Sequence, residues 1–172
     1  FHGYGGKAYK CFCYKDKFFL IWIDQLTSSI WLQSYEIVKS MDNKVYSFIS
    51  ESNARQLTKP ISGNFDSSFV LFQGTKLFGL FEQNEKDYLF SLEINKDLKD
   101  LTILREFDGF AGSLGCNDDQ TLLSWIEWKE CNMSWENNNL FFANLNNAGE
   151  INKIVQFKNY INFDQSVSFF QP

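Results

Sequence analysis

Three places in this chain carry side chains whose types and spacing could do chemistry. The first is Ser113, in Ala111-Gly112-Ser113-Leu114-Gly115. A nucleophilic serine sits on a strand-to-helix elbow with a histidine and an acid in reach. Here alanine stands where the elbow's first glycine belongs, and a polar turn and another strand-like run follow. The single histidine, His2, lies at the start of the sequence, where a frayed terminus is a simpler account than a general base. No complete catalytic set can be assembled, so the chain by itself is expected to be inactive. The second place is Glu127, between Trp125 and Trp128. A carboxylate among indoles needs hydrogen-bond partners or takes up a proton. It could anchor a peptide amine, but a satisfied carboxylate that pins the following loop is the preferred reading. The third is Asp118-Asp119. Two carboxylates in one loop without a third acid read as a turn rather than a calcium site. No metal and no cofactor is expected.

Charge and cysteine usage narrow the function classes. The chain has 172 residues and a net charge of −5, with 16 basic residues scattered along it. That pattern offers no electrostatic footprint for a phosphate backbone, so nucleic acid is not an expected partner. The longest apolar run, Phe18 to Ile23, ends at Asp24 and is too short to span a bilayer. Cysteines stand at 11, 13, 116 and 131. Cys11 and Cys13 would point the same way along a strand, and with one histidine no zinc pattern forms. Reduced thiols in a cytoplasmic protein are the expectation. Asn132-Met133-Ser134 spells a glycosylation sequon, a triplet frequent by chance.

The elements that must position these residues read as strands. Nineteen Phe, seven Tyr and five Trp suit strands that place large side chains between packed sheets. Strand-like runs are predicted at Ala8–Tyr14, Phe18–Asp24, Ile30–Tyr35 and Val45–Ile49, with Glu36–Lys44 as an inserted loop. Four more follow at Ser68–Phe72, Leu77–Phe81, Tyr88–Ile94 and Leu101–Phe107. Another four lie at Gly112–Cys116, Leu122–Trp128, Leu140–Leu145 and Ile151–Phe157. Turn clusters such as Asn84-Glu85-Lys86-Asp87 and Asn146-Asn147-Ala148-Gly149 separate them. Three indoles close together, Trp125, Trp128 and Trp135, are costly to leave wet, so the loop that carries the last is expected to fold onto an apolar surface.

Sets of four strands at intervals of roughly 45 residues match the period of a propeller blade. Phe18 to Ile23 and Leu140 to Phe142 are apolar on consecutive residues, as in an antiparallel sheet covered on both faces. A two-sheet sandwich would alternate more cleanly. The expected fold is therefore all-β, a partial β-propeller of about three four-stranded antiparallel blades at 8–58, 66–108 and 110–158. A further blade is expected to start at 166–172. Because closed propellers need at least four blades, the chain is expected to be a fragment of a larger ring. Its open ends would self-associate through Ala8–Asp24 or Leu140–Phe157.

Four segments resemble the propeller of the prolyl oligopeptidase family of serine peptidases, in its acylaminoacyl-peptidase and dipeptidyl-aminopeptidase branch. Tyr4-Gly5-Gly6 with Ala8-Tyr9 resembles the branch's Tyr-Gly-Gly blade opening. Asp24-Gln25, Ile30-Trp31-Leu32-Gln33 and Arg55-Gln56-Leu57-Thr58 are similar to its blade endings. Phe107-Asp108-Gly109-Phe110, running on to Gln120, stands where the family has a Gly-Asp-Phe segment and a Ser-Pro-Asp-Gly turn. Trp125-Ile126-Glu127-Trp128 with Met133-Ser134-Trp135-Glu136 and Leu140 resembles its Trp-x-Glu-Trp, Met-Pro-Trp-Asp and Glu-Leu signature. Ser134, Glu136 and Gln120 depart from the usual Pro, Asp and Gly.

The resemblance implies a seven-bladed ring and a catalytic α/β-hydrolase domain outside this chain. It implies a cap that restricts access to small peptide substrates. It also makes Glu127, Trp128, Met133 and Trp135 candidates for contact with substrate or with the hydrolase domain. The alternative is a stand-alone small propeller that binds protein or glycan.

Overall fold

In the computed structural model, which describes residues 9–39, 46–51, 53–96 and 98–157, fourteen strands form. Among the described residues no helix is long and apolar enough to cross a membrane. The first sheet runs β1 (Tyr9–Tyr14), β2 (Lys17–Asp24), β3 (Ser29–Lys39), β4 (Tyr46–Ser50), with β5 (Arg55–Gln56) also on β3. In the second, β6 (Asn64–Phe65) and β7 (Val70–Phe72) both pair with β8 (Lys76–Gln83), followed by β9 (Lys86–Glu93) and β10 (Thr102–Glu106). The third is the meander β11 (Phe110–Cys116), β12 (Leu122–Trp128), β13 (Asn139–Leu145), β14 (Ile151–Gln156). Because β4 and β5 share one edge of β3, and β6 and β7 share one edge of β8, each sheet has four strand positions, and among the described residues every pairing within a sheet is antiparallel, with one isolated parallel bridge between Thr58 and Lys99. The chain is a partial β-propeller.

Strand parity explains how the sheets stack. On β8, Leu77 and Phe81 join the core shared with the first sheet, where Phe19, Ile21, Ile30 and Leu32 face them. Their neighbours Phe78 and Leu80 point the other way and pack with Leu123, Trp125, Ala143 and Leu145 of the third sheet. On β9, Phe90 and Leu92 go to the first core and Leu89 to the second. A sheet covered on both faces reads as a continuous apolar run, which is why Leu77 to Phe81 does not alternate in polarity.

The chain turns tightly where the sequence allows it. Asn84 and Glu85 between β8 and β9 both take left-handed φ, 53° and 62°, the geometry of a two-residue hairpin loop that follows the twist of its strands. Between the second and third sheets Gly109 has φ 120°, and a Cβ there would lie 2.4 Å from the Trp128 carbonyl oxygen. Only glycine fits that connector.

Two differences from the sequence reading have a physical cause. Residues 36–39 are not loop: β3 continues to Lys39, and Tyr35–Lys39 pairs with Ser50–Tyr46. The extension is held by aromatic cover, since the Phe18 ring lies 5.9 Å from Tyr35 and 5.2 Å from Phe48. The short strands β5 and β6 carry no periodic signal because two residues cannot show one. His2, Tyr4-Gly5-Gly6, Ala8, Val45, the end of the third unit at 158 and the run at 166–172 lie outside the described residues.

Gly79 sits in β8 where a Cβ would meet the Phe90 ring at 2.5 Å and Phe69 at 2.9 Å. Both rings are fully buried in the first core. Gly79→Ala is expected to destabilise the protein by about 1–3 kcal/mol through overpacking, read as a lowered denaturant midpoint at unchanged slope.

Candidate functional site

Strand alternation sends Glu127 and Trp128 to opposite faces of β12. Glu127 shares the face of Leu123 and Trp125 and looks toward the second sheet. There its Oε1 accepts the Trp125 indole N–H at 2.8 Å and lies 2.9 Å from the Arg105 guanidinium of β10, and its Oε2 lies 3.1 Å from the same nitrogen. Arg105 is itself sandwiched, its guanidinium carbon 5.4 Å from the ring centroids of both Phe107 and Phe141. The two rings leave its buried Nε without a hydrogen-bond partner and hold the cation by its attraction to their faces. The result is a clamp between neighbouring sheets in which the Glu127 carboxylate, 18% exposed, has donors on both oxygens. Nothing in the sequence pairs Arg105 with Glu127. The ion pair forms across a sheet-to-sheet seam, not along a strand.

Trp128, on the other face, packs beside Phe110 with ring centroids 5.7 Å apart and lies over Gly112. The chain then makes two successive turns, Asn132 N–H to the Lys129 carbonyl at 3.0 Å and Glu136 N–H to the Met133 carbonyl at 3.0 Å. Glu136 closes the second turn by accepting the Met133 amide on Oε2 at 2.8 Å. Lys129 ties the base of this loop to Asp108, through its carbonyl at 3.1 Å and its carboxylate. That contact holds the Asp108 carboxyl below the usual range. Met133 and Trp135 are 51% and 52% exposed. The expectation that every indole of this stretch be covered therefore holds for Trp125, which is fully buried, and not for Trp135. The turn that fixes Trp135 is satisfied by its own hydrogen bonds and does not need the ring to be buried.

Ser113 lies in a bulge of β11 with φ 56°. Strand continues on both sides of it, and the next amide, Leu114 N–H, donates to Ser68 Oγ at 3.2 Å. Asp118 and Asp119 stand exposed at a turn closed by Gln120 N–H on the Asn117 carbonyl at 2.9 Å. Asn117 Oδ1 accepts the amides of Thr121 and Leu122 at 2.9 and 2.8 Å. Gln120 adopts the left-handed φ of 55° that glycine would supply. Its side chain offsets the strain by accepting the Gln73 amide at 2.7 Å and donating to the Leu71 carbonyl at 3.2 Å across the seam. Among the described residues no three His, Cys, Asp or Glu converge to hold a metal ion. All four cysteines are free, and burial pushes the Cys116 thiol up.

Removing the Glu127 carboxylate leaves Arg105 and the Trp125 indole without their acceptor. Glu127→Ala is expected to cost about 1.5–3 kcal/mol, the range for hydrogen bonds to a charged group. A double-mutant cycle with Arg105→Met should show coupling above ~0.5 kcal/mol. Additive effects would mean that the clamp contributes nothing.

No family model and no curated protein matches the chain. Solved structures do. A Mycobacterium tuberculosis puromycin-hydrolyzing peptidase superimposes with a TM-score of 0.65 at 17% identity, over 91% of this chain and 23% of that one. A puromycin hydrolase mutant complexed with PGG gives 0.64 at 15% identity, over 91% and 24%. Puromycin hydrolase itself gives 0.62 at 15%, over 90% and 24%. The chain spans about a quarter of the length of these structures. At such identities the likeness is one of fold, and by that measure the three stacked sheets are a partial β-propeller of the kind found within puromycin-hydrolysing peptidases.

Proposed function

We propose that this chain is part of the propeller of a peptidase of the prolyl oligopeptidase family, in its acylaminoacyl-peptidase or dipeptidyl-aminopeptidase branch. In this reading it caps an α/β-hydrolase domain and restricts access to small peptides, in the cytoplasm. Two independent lines support it. The fold is shared with peptidases named for hydrolysing puromycin, and the Trp125 to Glu136 stretch resembles the two-part tryptophan motif of the prolyl oligopeptidase family, with Ser134 and Glu136 departing from it.

The observation that carries a contact role is the half-exposure of Met133 and Trp135 on a turn braced by Glu136 and Lys129. Large apolar side chains held out by a satisfied backbone mark a surface that meets a partner. Trp128, at the foot of the same loop, belongs to that surface. Glu127 does not, because its oxygens are occupied by Arg105 and Trp125. Its role in this reading is to hold β12, and with it the loop, against the second sheet. The partners are the hydrolase domain and the peptide substrate.

Trp135→Ala in the full-length protein is expected to lower kcat/KM for small peptide substrates by about tenfold, or ~1.4 kcal/mol, with little change in melting temperature. A filling role would instead cost on the order of 3–5 kcal/mol of stability. Loss of folding without a kinetic defect would retire the contact role. The chain on its own should take no label from a fluorophosphonate serine probe, and covalent labelling at Ser113 would overturn the assignment of catalysis to another domain. The outward faces of the first and third sheets expose Tyr9, Tyr46 and Phe48, and Val155 and Phe157. The isolated chain is therefore expected to self-associate, and a clean monomer in sedimentation would favour the stand-alone propeller.

A further inference from the structure

Asp87 opens β9 and is only 4% exposed. Its Oδ2 accepts the amide N–H of Ala111, on the first strand of the third sheet, at 2.9 Å. Its own carbonyl accepts the N–H of Phe107 at 2.9 Å. One residue of the second sheet thus holds both ends of the 107–111 connector that carries the chain into the third.

The charged side chains that act on it are unfavourable to an anion. Glu82 stands directly opposite on β8, and Asp66, from the segment between β6 and β7, adds a second negative charge. From the third sheet Ala111 brings only its amide. The charged residue paired with Ala111, Glu127, is engaged with Arg105 of β10. Lys86, next in the chain, is exposed and turned to Glu106. A buried carboxylate here has one neutral donor, the Ala111 amide, and two like charges nearby.

We propose that Asp87 makes the seam between the second and third sheets a pH-responsive joint, closed when its carboxyl is protonated and loosened when it is ionised. Burial is the largest influence on this carboxyl and pushes it up to about 6. The Ala111 amide pulls the other way, and the charges of Glu82 and Asp66 add to the rise. The folded state therefore holds the proton more tightly than the unfolded chain does. The stabilisation is fully present below the ordinary carboxylate value of about 4 and is lost as the pH rises through about 6. Carboxyls held low by lysine, Glu51 beside Lys17 and Asp108 beside Lys129, act with the opposite sign. They lose stabilisation only as the pH falls below the usual range.

Amide exchange of peptides spanning Phe107–Cys116, corrected for the intrinsic pH dependence, tests the joint. Protection in the wild-type protein is expected to fall by about tenfold between pH 5 and pH 7, the ratio that linkage gives for a carboxyl at about 6. Asp87→Asn, which keeps an acceptor for Ala111 but cannot ionise, should remove that dependence. The 57–63 connector between the first and second sheets, which contains no carboxylate, serves as an internal reference within the wild-type protein should the variant fail to fold. Equal pH profiles at the two connectors, a profile unchanged in Asp87→Asn, or protection that rises with pH would each overturn the proposal.

Discussion

The middle sheet has to be buried on both faces, and the rest of the structure follows from that constraint. On β8 and β9 successive side chains go to different cores, Leu77, Phe81, Phe90 and Leu92 to one and Phe78, Leu80 and Leu89 to the other. Each such side chain contributes roughly 1.5–3 kcal/mol when taken out of water. Neither face can be satisfied without a neighbouring sheet. The first and third sheets are therefore stacked against the second, and their orientation is fixed by which residues of β2, β3, β12 and β13 present large apolar groups.

Polar ties then set how the stacked sheets meet at their edges. At the second seam these are the Arg105–Glu127 clamp between two phenylalanine rings, Asp87 on the Ala111 amide, and Gln120 bonded to both Gln73 and Leu71. Lys76 reaches the carbonyls of Ala148 and Gly149 at the same seam, at 2.9 and 3.3 Å. The first seam is tied differently. Leu57 and Lys99 are bridged by a backbone hydrogen bond of 2.9 Å, and Arg55 donates to the Ile94 carbonyl. Apolar burial is non-directional, so these directed contacts are what select one relative placement of the sheets. The exposed Trp135 loop projects from the clamped end of β12.

Each sheet carries an acid near the end of one inner strand. Asp24, Glu82 and Glu127 stand near the ends of β2, β8 and β12, opposite Ser29, Asp87 and Asn139. The three acids have different fates: Asp24 bonds Thr27 in its own turn, Glu82 lies 3.3 Å from the Asn64 amide group, and Glu127 crosses to the next sheet. The segments around them share no literal motif.

The sequence by itself determined the class of fold and the strand runs with their turns, whereas the continuous apolar runs it singled out, Phe18 to Ile23 and Leu140 to Phe142, lie in the outer sheets and not in the middle one. Fold class and strand runs depend on local periodicity, turn chemistry and aromatic content, all of which act within a few residues. It also marked Glu127 as a carboxylate that must find partners, because a charge among indoles cannot stay unpaired. Only the tertiary structure decided which partners those are. Arg105 is 22 residues away, and its meeting with Glu127 depends on how two sheets stack. For the same reason strand alternation, seen only with the register known, parted Trp128 from Glu127, and the bracing of the loop by Glu136 and Lys129 left Trp135 facing solvent. Extension of β3 through Lys39 was likewise settled by rings brought together from three strands, a contact that no window along the chain contains.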